Sequence, residues 1–241
     1  MRRERRNWLV LSVSLSVVLG VGTRVYAQSL TWLGILGGGW SKAFGVSADG
    51  AVVVGEANNA SYQPRAFRWT AAGGMQDLGT LGGYDSVAYG VSADGAVVVG
   101  WAYYVSKHWG QWRAFRWTAA GGMQDLGTLG GDSSLAWGVS ADGSVVVGLA
   151  DNASGQQRAF RWTASGGMED LNSTYASLLT NGSYLEIAHA LSPDGRYIVG
   201  QGWNAATGRR EAYLLDTVPE PASLLALSVG LAGLLRRRRR R

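Results

Sequence analysis

A four-residue motif that recurs four times constrains the fold of this 241-residue chain more than any other feature. The motif reads Ser-Ala-Asp-Gly at 47–50, 92–95 and 140–143, and Ser-Pro-Asp-Gly at 192–195. A β-branched run that ends in glycine follows each copy. Self-similarity at intervals of 45 to 52 residues is typical of repeat architectures in which each repeat is one supersecondary unit.

Two more motifs divide each repeat into short strands. Arg-Ala-Phe-Arg-Trp-Thr and Gly-Gly-Met-x-Asp-Leu each occur three times, after the β-branched run. In the first repeat these motifs predict strands at 42–47, 51–56, 65–70 and 75–80. Asp-Gly is a hairpin signal in which the glycine takes a positive φ. Four antiparallel strands per repeat predict an all-β, four-bladed β-propeller over residues 28–217.

The last repeat lacks a fourth strand, and the N-terminal end carries a surplus one. Residues 30–38 align with residues 75–83, whereas the final repeat ends at 211–216. We therefore expect residues 30–36 to pair with 211–216 and close the ring, with Trp32 near Leu214. Closure would also remove two exposed sheet edges.

The repeated arginines are expected to have a structural role. If Thr70 pairs with Met75, Arg68 faces Asp77 across the hairpin between the third and fourth strands. Opposite charges directly across a ladder stabilise a sheet by about 0.2–1 kcal/mol. The same register would pair Arg116 with Asp125 and Arg161 with Asp170. Such pairing favours a structural role for these arginines over a ring of arginines that binds a ligand.

The repeat pattern resembles the HAF-repeat family of extracellular proteins over about residues 30–216. The resemblance implies an exported repeat protein. The family's His-Ala-Phe stands here as Arg65-Ala66-Phe67, so no role of that histidine is implied for this chain.

The N-terminal end reads as a signal peptide over residues 1–27. Arginines precede an apolar run from Trp8 to Gly22, and cleavage is expected between Ala27 and Gln28. The alternative is an uncleaved membrane anchor, although the apolar run is shorter than the ~20 residues that a span needs.

The C-terminal tail, residues 218–241, has three parts. Pro219, Glu220 and Pro221 precede an apolar run at 222–235, and six arginines follow it. This arrangement resembles the PEP-CTERM sorting signal, which implies an exosortase-type processing protease, transient anchoring in the inner membrane through 222–235, and release at the cell surface or outside the cell. A simple tail anchor is the alternative.

Charge and composition exclude several function classes. Residues 28–218 hold 11 Lys and Arg against 15 Asp and Glu, a net charge of −4, so nucleic acid is not an expected partner. The absence of cysteine excludes disulfides and thiolate chemistry. His108 and His189 lie in different repeats, and the repeated aspartates suit turns better than calcium sites. We expect no enzyme, metal or cofactor.

One segment suggests binding. The loop predicted at 101–112 is longer in the second repeat than in its relatives, and it is unusually aromatic. It is either a stacking platform or a satellite core. Its aromatic residues are Trp101, Tyr103, Tyr104, Trp109 and Trp112.

Three functions remain for such a chain. The leading one is a non-catalytic surface or biofilm-matrix protein that acts in adhesion or associates with extracellular polysaccharide. The second is a lectin-like glycan-binding module that uses the aromatic loop. The third is a glycosidase on a propeller scaffold, which would need two carboxylates facing one cleft.

Overall fold

The computed structural model describes residues 28–105 and 110–218, which form an all-β fold of four antiparallel sheets, one for each repeat. The predicted signal peptide, the C-terminal tail from residue 219 and Trp109 lie outside the described residues. The first sheet consists of β1 (Gly37–Val46), β2 (Val52–Asn59), β3 (Pro64–Thr70) and β4 (Gly74–Asp77). The second consists of β5 (Gly82–Val91), β6 (Val97–Val105), β7 (Gly110–Thr118) and β8 (Gly122–Asp125).

The third and fourth sheets repeat this order, and the fourth sheet has three strands. The third consists of β9 (Gly130–Val139), β10 (Val145–Asn152), β11 (Gln157–Thr163) and β12 (Gly167–Asp170). The fourth consists of β13 (Tyr184–Leu191), β14 (Tyr197–Asn204) and β15 (Arg209–Asp216). A helical turn, α1 (Leu171–Thr174), and a 3₁₀ turn, Ala176–Leu178, connect the third and fourth sheets.

The repeated Ser-x-Asp-Gly motif forms the turn between the first two strands of each sheet, as predicted. In the first repeat Ser47 Oγ donates to Asp49 Oδ1 at 2.6 Å, and the backbone N–H of Ala51 donates to the same oxygen at 3.0 Å. Gly50 has a φ of 73°, which glycine adopts without steric cost. The aspartates are therefore turn residues.

The hydrophobic core lies between successive sheets. Val52 and Val54 of the first sheet pack against Val98 and Phe115 of the second, and the next two interfaces repeat this arrangement. Backbone hydrogen bonds link the turns of successive repeats in one direction around the fold. They run from Ala48 N–H to Ala93 O, from Ala93 N–H to Ala141 O, and from Ala141 N–H to Pro193 O.

The predicted register of the third and fourth strands is wrong by one residue. Thr70 pairs with Gly74, so Arg68 faces Gln76 and Asp77 faces Phe67. The loop has three residues instead of four, because Gly74 enters the strand with a φ of 65°. A slip of one residue moves every side chain to the other face. Arg116–Asp125 and Arg161–Asp170 are not cross-strand pairs either.

The predicted closure by residues 30–36 and 211–216 is also wrong. β15 pairs with β14 alone, Leu214 is 68% exposed, and residues 30–35 form no strand. In the first repeat the fourth strand ends at Asp77, and Asp77 Oδ1 accepts a hydrogen bond from the Gly79 N–H just beyond the strand. Most of the segment expected to be a strand is therefore a connection.

Residues 33–37 do repeat the backbone of that connection. Gly34 and Gly79 have φ values of 83° and 82°, and Ser41 Oγ donates to Gly34 O as Ser86 Oγ donates to Gly79 O. Trp32 stands where Asp77 stands in the first complete repeat. An indole has no oxygen to accept the turn hydrogen bond, so the two segments differ at that point.

Candidate functional site: a row of aromatic side chains

A β-bulge occurs at the same point in the first strand of every sheet. In β1, Ala43 pairs with Gly55 and Gly45 pairs with Val54, so Phe44 is the extra residue. Bulges redirect a side chain out of the regular alternation and are frequent beside functional sites. The bulged residues of the four strands are Phe44, Tyr89, Trp137 and His189.

The four bulged side chains form one continuous set of contacts, here called the aromatic row. Phe44 and Tyr89 have ring centroids 5.4 Å apart, and Tyr89 stacks on Trp137 at 4.5 Å. Trp137 and His189 meet edge to face at 6.0 Å. Phe44 is 45% exposed and His189 is also exposed, so the row is open to solvent at both ends.

A glycine opposite each bulge makes this geometry possible. A Cβ atom at Gly55 would overlap the carbonyl oxygen of Lys42, and one at Gly100 would overlap that of Val87. Gly148 and Gly200 are in the same situation. The glycine that ends each β-branched run therefore marks the place where the bulge brings two backbones together.

A cavity of about 240 Å³ adjoins the row and is lined by the first strands of all four sheets. Trp137 and His189 contribute to its wall. Trp137 Nε1 is buried and has no hydrogen-bond partner among the described residues. The indole N–H is thus an unsatisfied donor within the row.

The predicted aromatic loop is largely strand. Trp101, Tyr103 and Tyr104 lie on β6 and Trp112 lies on β7, so the additional residues of the second repeat lengthen a hairpin. Because side chains alternate along a strand, Trp101 and Tyr103 share one face with Trp112, which pairs with Tyr103. Tyr104 lies on the other face, beneath the guanidinium of Arg113 at 5.5 Å.

One face of this hairpin is continuous with the aromatic row. Trp101 Nε1 donates a hydrogen bond to Tyr89 Oη at 3.3 Å, and Trp101 meets Trp112 at 6.1 Å between centroids. Trp112 is 49% exposed. The structure therefore joins two of the predicted residues to Tyr89 in one aromatic surface.

The repeated aspartates are held as carboxylates in their turns. The Ser140 hydroxyl, followed by the backbone N–H and hydroxyl of Ser144, lowers the pKa of Asp142 to about 2. The equivalent serine hydroxyl is the largest influence lowering the pKa of Asp49, Asp94 and Asp194. Such groups stay ionised near neutral pH and are poor general acids.

Sequence reasoning missed the aromatic row, although a signal was available. The bulged residue is the one position that differs in all four copies of the segment Ala-x-Gly-Val-Ser or its last-repeat relative Ala-x-Ala-Leu-Ser. Phenylalanine, tyrosine, tryptophan and histidine in turn, within otherwise similar repeats, indicate a position that is diversified while remaining aromatic.

The C-terminal residues match a family model. Residues 217–240 match the PEP-CTERM protein-sorting motif, which includes Pro219, Glu220 and Pro221. The motif implies recognition by an exosortase and indicates a surface protein exported to the cell envelope or beyond. A comparison with curated protein sequences finds no match. None of the helices in the described part of the chain is long and apolar enough to cross a membrane.

Solved structures similar to this chain include two TolB proteins. A putative TolB from Agrobacterium tumefaciens has a TM-score of 0.47 and 17% identity over 71% of this chain and 60% of that one. TolB from Acinetobacter baumannii has a TM-score of 0.46 and 14% identity over 70% and 42%. A puromycin hydrolase has a TM-score of 0.37 and 18% identity over 73% and 30%. The chain thus spans less than two thirds of each.

Proposed function

We propose that this chain is a non-catalytic surface or matrix protein that associates with extracellular polysaccharide through the aromatic row and the adjoining faces of Trp101 and Trp112. The observation that carries the proposal is the continuous aromatic surface described above. The C–H faces of pyranose rings are apolar, and they stack on exposed aromatic side chains such as Phe44 and Trp112.

The sorting motif and the repeats support this assignment. A protein with a PEP-CTERM motif is delivered to the outside of the cell, where polysaccharide is available as a partner. The repeat motifs resemble those of the HAF-repeat proteins, and the four sheets would be blades of a propeller. The convergence of the first strands of all four sheets on one cavity supports that arrangement.

A non-catalytic role is supported by the turn aspartates and by Glu186. The aspartates of the repeated turns are each bound by a serine hydroxyl and a backbone N–H. Glu186, which is 8% exposed, accepts a bifurcated hydrogen bond from the single N–H of Arg210 Nε through both carboxylate oxygens. A glycosidase needs one carboxyl group that can hold a proton near neutral pH, and these groups are stabilised as anions.

A glycan array with the purified protein tests the proposal, followed by titration calorimetry on the best ligand. Phe44→Ala and Trp112→Ala should each weaken binding by about tenfold, because the loss of one stacking contact costs roughly 1–3 kcal/mol. Their melting temperatures should stay close to the original, since both side chains are partly exposed.

Tyr84→Ala is the matched control, since Tyr84 is 64% exposed and lies outside the row. This variant should bind like the original protein. The absence of binding to every glycan, or equal weakening by Tyr84→Ala, would refute the proposal.

A further inference from the structure

A second cavity, of about 380 Å³, lies between the second and third sheets, and two arginines line it. Arg116 comes from β7, and Arg161 comes from β11. The turn at 143–145 and residues 162–165 complete the wall, which includes the hydroxyl-bearing residues Ser144 and Ser165.

Both guanidinium groups have unused donors. Each guanidinium carries five N–H groups. Arg116 Nε donates to Gly143 O at 3.4 Å, which is long for a hydrogen bond. Arg161 Nη1 donates to Glu169 Oε1 at 2.8 Å, whereas Arg161 Nε is buried and has no partner among the described residues.

The charges at this cavity are not balanced. Arg161 is paired with Glu169, and no ion pair involving Arg116 occurs within residues 28–105 and 110–218. The nearby carboxylate of Asp142 is occupied by the hydroxyls of Ser140 and Ser144. Arg116 thus brings a positive charge with no ion-pair partner among the described residues to a cavity whose lining contains no carboxylate.

The two other sheet-to-sheet junctions differ from this one. Between the first and second sheets, Arg68 Nε reaches Gly95 O at 3.2 Å, and alanines, Ala96 and Ala120, replace the two serines. Between the third and fourth sheets, Arg196 forms two hydrogen bonds with Asp216 at 2.8 and 2.6 Å, so that arginine is neutralised internally. Among the described residues, the middle junction is therefore the one in which an arginine without an ion pair lies beside two serines at these positions.

We propose that this cavity binds the carboxylate of an acidic sugar residue, so that the polysaccharide recognised by the protein is a polyuronate. Arg116 receives the carboxylate through its planar N–H fork, Ser165 bonds to one sugar hydroxyl, and Ser144 Oγ, whose own proton goes to Asp142, accepts from another. The guanidinium of Arg116 lies 6.0 Å from the ring of Trp162, which holds it over the cavity. This inference rests on the proposed function and names the class of polysaccharide.

Titration calorimetry of the purified protein with polygalacturonate, dextran sulfate and neutral dextran tests it. Arg116→Gln should weaken polygalacturonate binding about tenfold, because charge-assisted hydrogen bonds are roughly twice as strong as neutral ones. Arg68→Gln is the matched control and should leave the affinity for polygalacturonate unchanged. Binding of polygalacturonate should also weaken as the salt concentration rises.

A second variant protects the test against a failure to fold. Ser144→Ala with Ser165→Ala recreates the residues that the chain already carries at Ala96 and Ala120, and it should weaken polygalacturonate binding severalfold. Equal effects of Arg68→Gln and Arg116→Gln would overturn the inference, as would binding of dextran sulfate without polygalacturonate. Polygalacturonate binding that depends on Phe44 and Trp112 but not on Arg116 would overturn this site and leave the proposed function standing.

Discussion

The backbone N–H of Ala141 donates a hydrogen bond to the carbonyl oxygen of Pro193, with 2.8 Å between the two atoms, and it joins the turns of the third and fourth repeats. The same bond joins the two preceding pairs of repeats. Proline has no N–H, so the series cannot continue beyond the fourth repeat. The single departure from Ser-Ala-Asp-Gly thus lies at the end of the series.

Ala141→Pro should remove one of these bonds with little other change, because Pro193 shows that the turn accommodates proline. The carbonyl of Pro193 would lose its donor, and we expect the free energy of unfolding to fall by about 1 kcal/mol. Pro193→Ala is the control and should have a smaller effect, since no hydrogen bond is lost. Urea denaturation measures both, and equal destabilisation would contradict the account.

Gly100→Ala should destabilise the protein by about 3 kcal/mol, because the new methyl group overlaps the carbonyl oxygen of Val87 opposite the bulge at Tyr89. Gly39→Ala is the matched strand variant. The nearest atom to its Cβ is 3.9 Å away on Tyr62, so we expect a change of less than about 1 kcal/mol. Similar melting temperatures for the two variants would show that the bulge is not a backbone constraint.

Acid should destabilise the protein as the turn carboxylates take up protons. The pKa of Asp142 falls from 3.8 to about 2 on folding, so the unfolded chain binds more protons between these values. The stability that this group contributes is present above about pH 4 and is lost as the pH falls toward 2. Asp142→Asn should show a shallower decrease of the melting temperature over this range. A parallel decrease in both proteins would refute the role of Asp142.

Export should remove both ends of the chain. Intact-mass measurement of the protein from the outer fraction of expressing cells should show the loss of residues 1–27 and of the arginine tail. The sorting motif at 217–240 predicts the second cleavage. Replacing Pro219, Glu220 and Pro221 with alanine should retain the tail, and a full-length mass in the outer fraction of the original protein would refute this prediction.

The strand order could be predicted because each repeat carries its own turn signals. Asp49-Gly50 and the β-branched run after it fix the first hairpin in every copy. The register of the hairpin between the third and fourth strands could not be predicted, since Ala71, Ala72, Gly73 and Gly74 allow a three-residue or a four-residue loop. The positive φ of Gly74 decides between them, and the same conformation at Gly167 makes Glu169, instead of Asp170, the partner of Arg161.

The aromatic surface was only half predictable. Trp101 and Trp112 stand out by composition, whereas their connection to Tyr89 depends on a bulge that shifts the alternation of the strand. Strict alternation would have assigned Phe44, Tyr89 and Trp137 to a regular sheet face. The row becomes visible only when the register of the first two strands is known.

The bulge also separates what must stay constant from what is free to change. The backbones come closest at Gly55 and its three counterparts, where only glycine fits. The alanine before each bulged residue is the one that pairs with this glycine. The bulged residue takes part neither in this close approach nor in the pairing. Four different rings therefore occupy the position in one chain. Duplication followed by exchange at this single position would alter the aromatic row one repeat at a time without rebuilding the sheets.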